Sequence, residues 1–147
     1  MHFVTEPRTR LRAAVVGCGA IAHEHLGYLH SSPIVELAGV CDLSPALAGF
    51  MKDRFGAGAA FTDVAAMLEM TRPHVVHVLT PPQTHVRLVE QSLAAGAHVV
   101  CEKPMAADAA TVQTLLDRAL ERGLVIQESR NYLYNDIVIA ATEAVRE

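Results

Sequence analysis

Tryptophan is missing from this sequence altogether, and aromatic side chains make up only 5% of its 147 residues. Such scarcity excludes a surface built to stack nucleobases, and it suits close-packed α/β layers better than a β-sandwich. Positive charge is also in short supply. Twelve lysines and arginines stand against 16 acidic residues, giving a net charge of −4 with no basic stripe, so nucleic acid is not an expected partner. Cysteine is limited to Cys18, Cys41 and Cys101, odd in number, widely spaced and without a C-x-x-C pair. That pattern excludes a disulfide framework and reads as free thiols in a reducing cytoplasm. No run of about 18 apolar residues is available to span a membrane, and Met1 to Pro7 lacks the pattern of a signal peptide. Two nucleotide and hydrolase signatures are absent as well: there is no G-K-[ST] of a P-loop and no G-x-S-x-G elbow.

What is present is a chain that is 51% hydrophobic, rich in alanine and valine. Its length suits one domain, burying roughly 70% of the surface that the unfolded chain would expose. Six apolar runs alternate with helical segments: Leu11–Val16, Val35–Cys41, Ala59–Phe61, Val75–Leu79, Ala97–Cys101 and Leu124–Glu128. Helices are expected from about Ala20 to His30, from Pro45 to Phe55, and from Thr62-Asp63 through Met70. Two more are expected from about Thr84 to Ala95 and from Asp108 to Arg122. Ser44-Pro45 and Asp108 carry helix-start chemistry, while Gly56, Gly96 and Gly123 carry stop signals. The alternation predicts an α/β fold, a doubly wound parallel sheet of Rossmann type in the order 3-2-1-4-5-6 with right-handed crossovers. Residues 1–10 are expected to be a frayed start, 11–130 the dinucleotide-binding domain, and 131–147 a segment leading to a further domain. Within that last segment Asn135-Asp136 caps a helix with an apolar stripe of Ile137, Ala141, Ala144 and Val145. A helix folded back on the sheet is the alternative.

The first strand runs into Gly17-Cys18-Gly19-Ala20-Ile21-Ala22, a G-x-G-x-x-A turn. Gly17 permits a tight turn, and Gly19 lets phosphates approach the backbone. Ala22 allows close packing, and the amides of Ala20 and Ile21 open the helix toward a pyrophosphate. Asp42 lies 25 positions beyond Gly17, at the spacing from which an acid accepts both ribose hydroxyls. A 2′-phosphate there would meet a like charge, costing on the order of 4 kcal/mol at about 4 Å in an effective dielectric near 20. Leu43 and Ser44 bring no compensating cation, so NAD is favoured over NADP. An ordinary loop aspartate is the competing reading.

Two further strand ends carry chemistry. Thr80-Pro81-Pro82, followed by His85, shapes a loop that can lie against a flat ring, with His85 toward the nicotinamide end or simply at the helix start. Glu102-Lys103-Pro104 follows the fifth strand, at the edge where open α/β sheets bind ligands. There a lysine can donate to a substrate hydroxyl or move its proton, unless Glu102 and Lys103 form only a surface ion pair. No metal site is expected. In His23-Glu24-His25 the histidines are two apart on a helix and diverge, and Gly27 stands where H-E-x-x-H needs its second histidine. His77 reads as a satisfied core histidine, and the cysteines as buried inert thiols.

These segments recur together in one family. The glycine turn, Asp42, Thr62-Asp63 with Met67-Leu68, Thr80-Pro81 with His85, Ala95-Gly96-Ala97-His98-Val99 and Glu102-Lys103-Pro104-Met105 stand in its order. From about Leu11 to Asn135 the chain resembles the N-terminal domain of the glucose–fructose oxidoreductase and inositol dehydrogenase family (Gfo/Idh/MocA). The A-G-x-H-V-x-x-E-K-P run carries most of that likeness. The resemblance implies an NAD(P)-dependent oxidoreductase acting on CH–OH groups of a sugar, inositol or related polyol. It implies that Lys103 is catalytic, Glu102 a cofactor contact, and Thr80 and Pro81 the lining of the cofactor cleft. Asn131 and Tyr132 match the segment leading to the family's C-terminal α/β domain. That domain supplies the substrate pocket, the subunit interface of a homo-oligomer and usually an Asp/His pair, and it is not encoded in these residues. The chain alone is therefore expected to bind dinucleotide with little or no turnover. His74 departs from the aspartate usual before the fourth strand. Two other readings remain: a non-catalytic NAD-sensing or scaffold protein of the same fold, and a methyltransferase, which also pairs a glycine loop with an acid.

Overall fold

A computed structural model describes residues 10–146. The expected frayed start therefore falls, except for Arg10, outside the described residues. Six parallel strands form one sheet: β1 (Leu11–Val16), β2 (Val35–Cys41), β3 (Ala59–Phe61), β4 (Val75–Val78), β5 (His98–Cys101) and β6 (Ile126–Glu128). Their order is β3-β2-β1-β4-β5-β6, the topology anticipated from the alternation. Five helices connect them: α1 (Ala22–Ser31), α2 (Pro45–Phe55), α3 (Val64–Thr71), α4 (His85–Ala94) and α5 (Ala109–Glu121). A sixth, α6 (Asp136–Arg146), follows a 3-10 turn at Asn131–Tyr134.

Side chains of β1 alternate between two cores. Ala13 and Val15 face Leu26 and Leu29 of α1 and Met51 of α2. Ala14 and Val16 face the opposite core, with Met67 of α3, Leu88, Val89 and Leu93 of α4, and Leu115 of α5. Both faces of the sheet are thus covered, and the strands are apolar on both sides as parallel sheets require. Helix starts follow their side chains. Ser44, Asp63 and Asp108 each accept a hydrogen bond from the backbone N–H three residues on, at Leu47, Ala66 and Thr111. Pro45 occupies the first turn of α2, and Gly56 closes that helix with φ of 67°. His74 accepts from the Arg12 N–H at 3.0 Å and staples the entry of β4 to β1.

Several element ends shift by one or two residues from expectation; one shift that matters lies before α4. Pro82–Thr84 forms a 3-10 turn, so the helix proper begins at His85. The second concerns the final helix. Asn135 does cap α6, accepting from the Ile137 N–H at 3.0 Å. Its stripe does not fold back on the sheet, however. Ile137 and Val145 are 79% and 87% exposed, and Ile137, Val138, Ala141, Thr142 and Val145 line an open groove. Among the described residues no helix is long and apolar enough to cross a membrane.

Candidate functional site

The sheet order reverses between β1 and β4, and beyond their carboxyl ends lies the place where open α/β sheets of this kind form a ligand crevice. The turn after β1 forms its floor. Gly17 has φ of +96°, and a Cβ on it would lie 2.8 Å from the backbone carbonyl carbon and oxygen of Leu79, so no other residue fits. Its N–H donates to the Cys41 carbonyl at 2.8 Å, pinning the turn to the end of β2. Gly19 differs. A Cβ there would meet nothing within 4 Å. The fold itself gives no reason for glycine at this position, and the open space lies at the start of α1.

That helix start has no side-chain cap. Ile21 at the N-cap position makes no capping bond, and Gly19, Ala20 and Ile21 are exposed. Their amides donate to no partner among the described residues. The arrangement presents bare N–H groups and the positive end of a helix dipole, which together favour an anion.

Asp42 stands beside this turn. Its Oδ2 accepts from the Cys18 N–H and its Oδ1 from the Ser44 N–H, both at 2.8 Å. Each carboxylate oxygen keeps a second lone pair for another donor. Leu43, which follows it, is 94% exposed and contributes no charge.

Across the crevice stand the loops after β4 and β5. Thr80 Oγ1 bonds Thr84 Oγ1 at 2.6 Å, and the Thr84 hydroxyl donates to the Pro81 carbonyl at 2.8 Å, which sets the proline turn. Pro81 is exposed. His85 is a correction to the expectation that it faces the nicotinamide end. It is fully buried, its Nδ1 2.8 Å from the Pro104 carbonyl and its Nε2 2.7 Å from the Thr80 carbonyl. The 3-10 turn rotates the first residue of α4 inward, so this ring ties the two loops together rather than lining the crevice. Carbonyls only accept, so the ring nitrogen that bears hydrogen donates to the carbonyl it faces.

Glu102 is anchored by its N–H to the Val78 carbonyl at 2.9 Å, and Lys103 beyond it is exposed. The Lys103–Pro104 peptide is cis. Lys103 makes no ion pair within the described residues, which leaves its ammonium available at the mouth. The alternative of a Glu102–Lys103 surface pair is not what the structure forms. Behind this loop Glu128 accepts from the Met105 N–H at 2.8 Å and pairs with Arg130. Burial alone would raise the Glu128 carboxyl. The Met105 amide, Arg130 and His85 outweigh it and hold the group below the ordinary range.

Two histidines escaped sequence reasoning as site residues. His25 of α1 and His77 of β4 meet at 2.9 Å between their Nδ1 atoms, and His25 Nε2 lies 3.5 Å from Glu102 Oε1. His23 points away, against Phe50 and Phe55, as a spacing of two on a helix requires. The signal for the pair was present only as polar residues in apolar surroundings; their 52-residue separation hid the contact. All three cysteines are free and buried. Burial, with acidic neighbours, pushes their thiols up to about 12 at Cys18, about 11 at Cys41 and about 12 at Cys101. Among the described residues no cluster of three histidines, cysteines or acids is placed to hold a metal ion.

Comparison with known proteins follows this geometry. A family model described as an oxidoreductase family with an NAD-binding Rossmann fold (GFO_IDH_MocA) matches residues 11–129. A dTDP-3,4-didehydro-2,6-dideoxy-α-D-glucose 3-reductase of Streptomyces violaceoruber is 38% identical over 144 residues, 97% of this chain and 41% of the relative. Among solved structures, KijD10, a 3-ketoreductase from Actinomadura kijaniata in complex with NADP, superposes with a TM-score of 0.85 at 28% identity. That match covers 93% of this chain and 44% of the other. GenD2 from gentamicin A biosynthesis, in complex with NAD, gives a TM-score of 0.85 at 32% identity, covering 98% and 40%. The chain thus spans about two fifths of the length of the proteins it matches.

Proposed function

Because the chain belongs to the Gfo/Idh/MocA oxidoreductase family as its NAD-binding Rossmann domain, we propose that it holds NAD in the crevice between β1 and β4. The protein it serves then passes a hydride between the nicotinamide and a carbinol carbon of a sugar, inositol or related polyol. The open space at Gly19, beside the unbonded amides of Ala20 and Ile21, carries this reading: it is a cradle that a methyl group would fill. The pyrophosphate rests there, and Asp42 accepts from the adenosine ribose hydroxyls. Thr80 and Pro81 lie along the ring-bearing half, and Glu102 accepts from the second ribose.

NAD is preferred to NADP, since a 2′-phosphate would face Asp42 with no cation at Leu43 or Ser44 to answer it. When bound, the cofactor supplies the hydride acceptor or donor; the protein supplies orientation and charge. Lys103 meets the substrate hydroxyl and takes or returns its proton. Residues beyond this domain would complete the substrate pocket and the contacts of a homo-oligomer. Three buried free thiols are in keeping with a reducing cytoplasm.

Calorimetric titration of the 147-residue chain tests the reading. NADH is expected to bind, NADPH more weakly. Gly19→Val should keep the fold, judged by its circular dichroism and melting temperature, and lose at least tenfold in NADH affinity. A wild-type chain that takes neither dinucleotide, or a valine variant that binds as before, defeats the assignment.

A further inference from the structure

From the interior outward runs a line of three side chains, His77, His25 and Glu102, and the proposed chemistry uses only the last of them. His77 sits at the centre of the sheet, its strand residue paired with Val15 of β1 and Val100 of β5. Burial, then the neighbouring His25, pushes its ring down to about 4, so it is neutral at physiological pH. His25 reaches it from α1, Nδ1 to Nδ1 at 2.9 Å, and turns its other nitrogen to Glu102. His25 and Glu102 are only 13% and 16% exposed, so solvent screens the contact weakly. Other polar groups of the same helix lie elsewhere: Glu24 is exposed and His23 packs on Phe55.

Donor accounting assigns the hydrogens. A carboxylate only accepts, so across a 3.5 Å charge contact, longer than a hydrogen bond, His25 turns an N–H rather than a lone pair toward it from Nε2. With its hydrogen at Nε2, His25 has a bare lone pair at Nδ1. The atom facing that lone pair, Nδ1 of His77, must be the donor.

We propose that His25 and His77 form an imidazole pair with fixed tautomers, His77 donating from Nδ1 to His25 and His25 turning its Nε2–H toward Glu102, which makes His25 a positioning residue for that carboxylate. It joins the helix that opens on the pyrophosphate to the residue that meets the second ribose, so both ends of the cofactor are registered against one another. The positioning role rests on the reading of Glu102 as a cofactor contact. The tautomers do not.

Long-range proton–nitrogen correlation of the ¹⁵N-labelled chain at neutral pH reads the tautomers directly, with His25→Gln and His77→Gln assigning the signals. His77 is expected as the Nδ1–H form and His25 as the Nε2–H form. An Nε2–H His77, or an Nδ1–H His25, overturns the pair. NADH affinities of His25→Ala, Glu102→Ala and the double variant then test the coupling. His25→Ala should weaken binding by about fivefold when Glu102 is present and leave it unchanged when Glu102 is alanine. His25→Gln, which keeps a donor, should recover part of the loss. Equal losses in both backgrounds overturn the positioning role. A wild-type chain that binds no NADH instead defeats the functional reading, and the tautomers still decide the pair.

Discussion

Burial of single polar groups gives this protein measurable chemistry far from any ligand. His77 titrates near 4 in the fold against an ordinary 6.5. As the medium is acidified the unfolded chain takes up this proton first, so stability is whole above about pH 6.5. It declines by on the order of 2–4 kcal/mol as the pH falls toward 4. Urea midpoints at pH 7.5 and pH 5 should show the drop, and His77→Phe should flatten it. The thiols make the opposite expectation. With Cys18, Cys41 and Cys101 all raised to about 11 or 12 and buried, they should resist a disulfide reagent at pH 8 until denaturant is added. Rapid labelling of the folded chain would contradict the packing. How these residues behave was only half legible in the sequence. A histidine inside an apolar strand announces burial, but its partner lies on another element and no local pattern points to it.

Turns and helix starts were far more legible, because their causes are local. Ser44-Pro45, Asp63 and Asp108 open helices where their side chains are able to cap, and the first β–turn–α unit forms where its glycines allow. Gly17→Ala should cost about 2–4 kcal/mol, since its methyl would strike the Leu79 carbonyl in a backbone conformation that alanine avoids. A chemical melt distinguishes this from the fold-neutral change expected at Gly19. The start of α4 shows where local reading stops. Two prolines make a 3-10 turn, which swings His85 out of the crevice and under it. His85→Leu would leave the Thr80 and Pro104 carbonyls without the ring nitrogens that face them, at a cost on the order of 2–4 kcal/mol. Its NADH affinity should fall too, because the loops bearing Thr80 and Lys103 would no longer be tied.

At the scale of the whole molecule the two cores lie on opposite faces of one sheet, and the proposed dinucleotide crevice lies at its carboxyl edge. The alternation of apolar runs and helices made this architecture readable, since a parallel sheet covered on both faces leaves few other arrangements. Occupying the crevice should stabilise everything beneath it. NADH at about 100 times its dissociation constant is expected to add roughly 2.7 kcal/mol to unfolding free energy, read as a rise in melting temperature. Asp42 joins this global balance to selectivity. The oxygens that would turn away a phosphorylated ribose are the same two that clasp the amides of Cys18 and Ser44. Reversing the proposed preference for NAD by neutralising that acid would therefore loosen the bend after the first strand and the entry to the second helix together. A redesign succeeds only if the new side chain still latches both.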